Sequence, residues 1–212
     1  MSRAIPLVDL QKFKEGSEAD KQAFVQELGH AFQEFGFVGV INHGIPKELV
    51  SRFYAESKAF FSLPTEVKSK YELKGLAGQR GYTSFGKEHA KQSNVGDLKE
   101  FFQLGQVVPA DHPLKGEYPD NVHVAEVPAF TSTGIELYKS FEISGAWLLH
   151  AIALYLDIDP GYFDEKIHEG NSILRAIHYP PITSEPKSAI RAEQHEDINL
   201  ITLLVGASAG GL

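Results

Sequence analysis

The spacing of apolar positions along this chain switches between helical and strand-like periods. Residues 5–10, Ile-Pro-Leu-Val-Asp-Leu, form a short apolar run with a proline near its start, which suits a first or edge strand because proline cannot donate to a sheet ladder. Ser17-Glu-Ala-Asp20 has the pattern of a capping box, and Phe24, Val25, Leu28, Phe32 and Phe35 follow at helical spacing, predicting one buried stripe. Residues 35–41 turn strand-like, and Asn42-His43-Gly44 reads as the closing turn, with His43 in a structural role. Pro46 suits the start of the next helix. Its expected apolar face is Val50, Phe53, Tyr54, Ala59 and Phe60, until Leu63-Pro64 interrupts it and a short helix begins.

Four glycines between Gly75 and Gly86, with Tyr82 and Phe85 among them, predict an irregular segment: a pocket wall or an ordinary surface loop. Order returns over residues 97–104, and four prolines across residues 109–128 mark a connecting segment. Apolar spacing over residues 131–156 predicts one long helix despite Gly145. Trp147 and His150 lie within it as packing residues, since a lone helical histidine needs a partner one turn away to hold metal. Residues 172–179 form a strand in which Arg175, Ile177 and Tyr179 share one face, closed by Pro180-Pro181. A buried Arg175 would need an anion; the plainer alternative is an ion pair with a neighbouring carboxylate, with Tyr179 simply packing.

With 212 residues, 42% of them apolar, the chain can build a real core. A net charge of -8 argues against nucleic acid or an anionic membrane surface as the main partner. The absence of cysteine excludes disulfides and thiolate chemistry, so any metal must use His, Asp or Glu. The first residues contain no apolar signal core and no run is long enough to span a bilayer, which makes a cytoplasmic protein the expectation.

The remaining candidate chemistry is His195-Glu196-Asp197, at the mouth of a strand-like apolar run ending near Val205. Strand side chains alternate, so positions 195 and 197 project to one side and could meet a single ion. One imidazole and one carboxylate are two members of the 2-His-1-carboxylate pattern that holds non-haem iron, although H-x-D alone is a weak motif.

Taken together, residues 5–10, Gly36-Phe-Val-Gly-Val-Ile-Asn-His-Gly-Ile45, Phe60-Phe-Ser-Leu-Pro-Thr-Glu-Val-Lys68, Gly81-Tyr82, Leu174-Arg-Ala-Ile-His-Tyr-Pro-Pro181 and His195-Glu-Asp197 resemble, in the same order, the isopenicillin N synthase-like branch of the Fe(II)/2-oxoglutarate oxygenases. The resemblance implies a mixed α/β protein with a mainly β core, a double-stranded β-helix or jelly roll. Residues 1–108 would be its N-terminal flanking region, 109–130 a connecting segment and 131–212 the start of the catalytic core. It implies that His195 and Asp197 bind Fe(II), and that 2-oxoglutarate chelates the iron and is decarboxylated to succinate as O2 oxidises a small-molecule substrate. Tyr179 falls on the strand tyrosine that helps hold the carboxylate end of 2-oxoglutarate or of the substrate. Arg175, on the same face, is a weaker candidate, and Tyr82, Phe85 and Phe101 are candidate pocket contacts.

Asn121-Val-His-Val124 departs from the Asn-x-Trp-Pro of many relatives without affecting the class. The family's distal histidine and Arg-x-Ser clamp would lie beyond Leu212, so the resemblance implies a jelly roll incomplete at the C-terminus. The expectation is that the protein continues, and that 212 residues alone would hold iron weakly. Both ligands must be deprotonated, so iron affinity should fall below about pH 6.5. Two alternatives stand beside this reading: a 2-oxoglutarate-independent iron oxidase of the isopenicillin N synthase type, and a non-catalytic fragment acting through protein contacts.

Overall fold

The structure, a computed structural model, describes residues 4–76, 78–88, 97–182, 197 and 199–206. The chain divides into two compact units, residues 1–47 with 139–170 and residues 48–138 with 171–212.

In the first unit, β1 (Leu7–Asp9) pairs in parallel with β2 (Gly39–Ile41), Val8 opposite Val40. The helix α1 (Leu10–Glu15) leads into α2 (Glu18–Phe35), which opens on the predicted capping box: Ser17 and Asp20 satisfy each other's backbone N–H groups. Phe24, Val25 and Leu28 are buried as expected, but Phe32 is 38% exposed and Phe35 half-buried. The stripe is shorter than its spacing predicts because the last turn runs out to a left-handed cap at Gly36, φ 70°. Gly29 lies where α2 meets Tyr155, whose ring would be 2.2 Å from an added Cβ. The strand predicted over 35–41 is confined to β2. The turn after it holds Asn42 at φ 52° and Gly44 at φ 81°. His43 is structural: its Nδ1 accepts from the Ile45 N–H (3.1 Å) and its carbonyl from Ser144 Oγ (2.7 Å).

The long predicted helix is present as α5 (Phe130–Tyr155). In its second half Trp147 meets Phe13 edge-on, Phe13 stacks on Phe24, and His150 Nε2 lies 2.7 Å from Asp164 Oδ1 on α6 (Asp164–Ile167), so both residues have packing roles.

The second unit carries most of α3 (Lys47–Phe61) and α4 (Thr65–Lys68), separated by Pro64. The buried face of α3 is Leu49, Phe53, Ser57, Phe60 and Phe61. Phe53 and Phe60 of the predicted face are thus buried, whereas Val50, Tyr54 and Ala59 lie outside the buried face, because the stripe runs through 49-53-57-60 and takes in Leu49 and Ser57 instead. Three antiparallel strands, β3 (Gly81–Thr83), β4 (Glu100–Gly105) and β5 (Ile173–His178), lie in the order β3-β4-β5. The segment expected to be irregular between Gly75 and Gly86 thus contains β3, with Tyr82 opposite Phe102. Its glycines concealed a strand too short to show alternation. β4 is buried along its whole length, with Phe102 in an aromatic cluster with Phe60 and Phe130. An added Cβ on Gly134 of α5 would lie 2.2 Å from Leu104, so the glycine permits close approach of the helix to β4. The connecting segment includes one short 3-10 turn, Pro113–Gly116, and the Asn121 amide clips both backbone groups of Gly105 at 2.8 Å. Among the described residues no helix is long and apolar enough to cross a membrane.

Candidate functional site

β5 organises the site because its two faces do different things. Arg175 and Ile177 point to the exposed side, whereas Ala176 is buried and His178 half-buried against β4. Register opposes Gln103 to Arg175, Phe101 to Ile177 and Glu100 to His178.

On the outer side, the Arg175 guanidinium lies 4.4 Å from the centre of the Phe101 ring and donates from Nη1 to both Glu88 oxygens (3.2 and 3.3 Å). With the Gln103 amide oxygen turned toward it, Arg175 also donates from Nη2 and Nε at 2.7 and 2.8 Å. The plainer alternative for Arg175, an ion pair with a neighbouring carboxylate, is therefore what the structure shows. Tyr179 follows the last ladder pair and is half-buried. Of the candidate pocket contacts, Tyr82 and Phe101 are buried and Phe85 is 48% exposed.

On the inner side sits a cluster that sequence reasoning missed. The buried Glu100 carboxylate accepts from Lys68 Nζ on both oxygens (2.9 and 2.8 Å), from the Tyr82 hydroxyl, and from His178 Nδ1 (2.8 Å). Since an ionised carboxylate only accepts, the His178 proton resides on Nδ1. Lys68 also donates to the Phe61 carbonyl (3.1 Å), and the Phe61 ring stacks on His178 with centroids 5.1 Å apart. Burial alone would raise the Glu100 pKa, but the hydrogen bonds from Lys68, Tyr82 and His178 outweigh it and hold the carboxyl below its ordinary range. Tyr82 is pushed the other way, first by burial and then by donating to Glu100. Its members come from positions 68, 82, 100 and 178, so no local spacing announces the cluster. The one available signal was Glu100 heading the apolar run Phe101-Phe102.

Of the predicted metal ligands, Asp197 is exposed and accepts from the Thr202 hydroxyl, while His195 lies outside the described residues. The Tyr54 hydroxyl donates to the Gly206 carbonyl (2.7 Å), tying this C-terminal segment to α3. Among the described residues no three His, Asp or Glu side chains converge on a metal position. The donor chemistry of a neutral imidazole and an accessible carboxylate is nevertheless of the kind Fe(II) takes.

Residues 5–126 match the family described as "non-haem dioxygenase in morphine synthesis N-terminal". The chain is 31% identical to the 2-oxoglutarate-Fe(II) type oxidoreductase ppzD of Metarhizium rileyi, over 99% of this chain and 62% of that protein. It is 33% identical to the 2-oxoglutarate-dependent dioxygenase ecdK of Aspergillus rugulosus, over 97% of this chain and 66% of that protein. The chain thus spans just under two thirds of the length of these relatives. Among solved structures, a 2OG-Fe(II) oxygenase family protein of Caulobacter crescentus superposes with a TM-score of 0.75 at 37% identity, covering 87% of this chain and 59% of that one. A family match over more than half of the chain, together with relatives and a structural neighbour of one chemistry, shows that the chain belongs to the Fe(II)- and 2-oxoglutarate-dependent oxygenases, in their isopenicillin N synthase-like branch.

Proposed function

We propose that the protein is an Fe(II)/2-oxoglutarate-dependent oxygenase that hydroxylates or otherwise oxidises a small molecule, with O2 as oxidant and succinate as co-product. The observation that carries this reading is the position of His195-Glu196-Asp197. It falls inside the stretch matched to relatives named for that chemistry, because matches over 99% and 97% of the chain cannot leave it out. Residues 1–108 then serve as flanking region, 109–130 as connector and 131–212 as the start of a jelly-roll core, joined to the flanking region by the β4–β5 ladder.

His195 and Asp197 would hold the iron, and Thr202, by donating to Asp197, would orient that carboxylate. The bound iron and 2-oxoglutarate supply the oxidising power, through decarboxylation of the co-substrate. Tyr179 would donate its hydroxyl proton into a hydrogen bond with a carboxylate of 2-oxoglutarate. Arg175, on the same face but shared with Glu88, would add positive charge to that side.

Anaerobic addition of Fe(II) and then 2-oxoglutarate to the purified protein should produce a weak visible charge-transfer band. His195→Ala and Asp197→Ala should each abolish it without changing the far-ultraviolet circular dichroism. Iron retained by the native chain with no band on adding 2-oxoglutarate, together with oxygen uptake indifferent to it, would replace this reading with a 2-oxoglutarate-independent oxidase.

A further inference from the structure

Tyr179 sits between two restraints. The Glu100–His178 pair is the last rung of the β4–β5 ladder, so strand pairing stops one residue before Tyr179. Pro180 comes next and confines Tyr179 to extended backbone, because the proline ring clashes with a helical residue before it. Beside these, the residue at its N-terminal side is itself firmly held. His178 is held by two contacts: its Nδ1–H donates to Glu100 at 2.8 Å, and its ring stacks on Phe61. Glu100 is in turn immobilised by Lys68, and the side chains of both are less than a tenth exposed.

We propose that His178, clamped by the buried Glu100 carboxylate, is a positioning residue that fixes Tyr179 for the carboxylate of 2-oxoglutarate. The inference rests on the reading that Tyr179 meets the co-substrate. It adds a group that touches neither iron nor 2-oxoglutarate and acts through its neighbour. A side chain held by a hydrogen bond to a buried acid and by a ring stack can act on its neighbour through orientation, as partners behind metal ligands do.

The test is calorimetric titration of 2-oxoglutarate into the Mn(II)-loaded full-length protein, which reads binding without turnover. Tyr179→Phe should weaken binding. His178→Phe, which keeps a ring against Phe61 but has no donor for Glu100, should weaken it about tenfold, the lower end of what such indirect partners cost. The Tyr179→Phe/His178→Phe double variant should bind no more weakly than Tyr179→Phe alone, since the histidine acts only through the tyrosine. His178→Asn, whose amide nitrogen occupies the place of Nδ1, should restore most of the affinity; it also provides a folded donor-bearing variant should the phenylalanine fail to fold. If Tyr179→Phe changes nothing, or the native full-length protein shows no binding, the reading of Tyr179 itself falls. If Tyr179→Phe weakens binding but the His178→Phe effect is absent, additive or unrescued by asparagine, only the positioning role is overturned.

Discussion

Two buried cations in the second unit are handled in opposite ways. Lys68 is surrounded by counter-charge and acceptors: both oxygens of Glu100 and the Phe61 carbonyl. Arg80 is fully buried, yet the described residues place no carboxylate against it. Nη1 donates to the Gln79 carbonyl (2.8 Å), Nη2 reaches Asn171 only at 3.5 Å, and Nε finds no acceptor. Burial accordingly pushes the Arg80 pKa down, with only the nearby Tyr138 and Tyr118 opposing it. The residue types suit their places. An ammonium is a compact, strongly hydrated charge that needs a carboxylate to leave water, whereas a guanidinium is delocalised, weakly hydrated and can rest on carbonyls. The difference teaches that burial of a charge does not say what it is for. Lys68 belongs to a cluster that reaches β5 at His178, while Arg80 packs against the backbone of Gly105.

The sharpest way to break this comparison is to remove each charge. Lys68→Met leaves the Glu100 carboxylate buried with only Tyr82 and His178 as donors, and should cost about 3–5 kcal/mol, as for other broken buried pairs. Arg80→Met removes a charge with no counter-charge and leaves chiefly one carbonyl without its donor, a loss of about 1 kcal/mol. Urea unfolding midpoints of the two variants measure the contrast. Equal costs would mean that Arg80 has a counter-charge as good as Glu100.

A smaller effect sharpens the Arg80 side. A Cβ on Gly105 would lie 2.1 Å from Arg80 Cζ, and Asn121 pins the Gly105 backbone so that the strand cannot retreat. Gly105→Ala should cost about 1–3 kcal/mol by overpacking, less in the Arg80→Met background, where the flexible thioether can yield. Additive costs would show that the guanidinium is not what fills the space above Gly105.

This pair of cations also marks what was legible in the chain. Helices with local signatures came through: the capping box at Ser17, the long helix over 131–156 and the break at Pro64 were all readable because their physics lies within a few residues. On α3 the expected Phe53 and Phe60 are buried, but Tyr54, as apolar as Phe53 in the sequence, is 40% exposed, because only the partner surface selects between neighbours and Phe53 is the one that stacks on Phe130. β3 was hidden because three residues among glycines show no period. At the site, the strand carrying Arg175 and Tyr179 was visible from its alternation, but the Glu100 cluster was not, since its members are scattered over 110 positions, from 68 to 178.

The smallest expected effect separates the two cations by pH. Glu100 is held below its ordinary value of 4.5, so its contribution to stability is present above that pH and is lost as pH falls through the lower folded value. Tyr82 is held above its ordinary value of 10.0, so its contribution is present below that pH and is lost as pH rises through the higher folded value. The Lys68–Glu100 cluster should therefore weaken at both ends of the accessible range. Arg80 is shifted downward by burial, but from the guanidinium range far above neutrality, and no carboxylate lies against it among the described residues. Tyr82→Phe keeps the ring that meets Phe60 edge-on but removes the hydroxyl from Glu100. In urea melts from pH 4 to pH 11 this variant should lose part of the alkaline decline seen in the native chain. It should also show a shallower acid decline, because Glu100 would have lost one of the donors that keep it ionised. An alkaline limb unchanged in Tyr82→Phe would assign that decline to other groups and leave the cluster sensitive to acid alone.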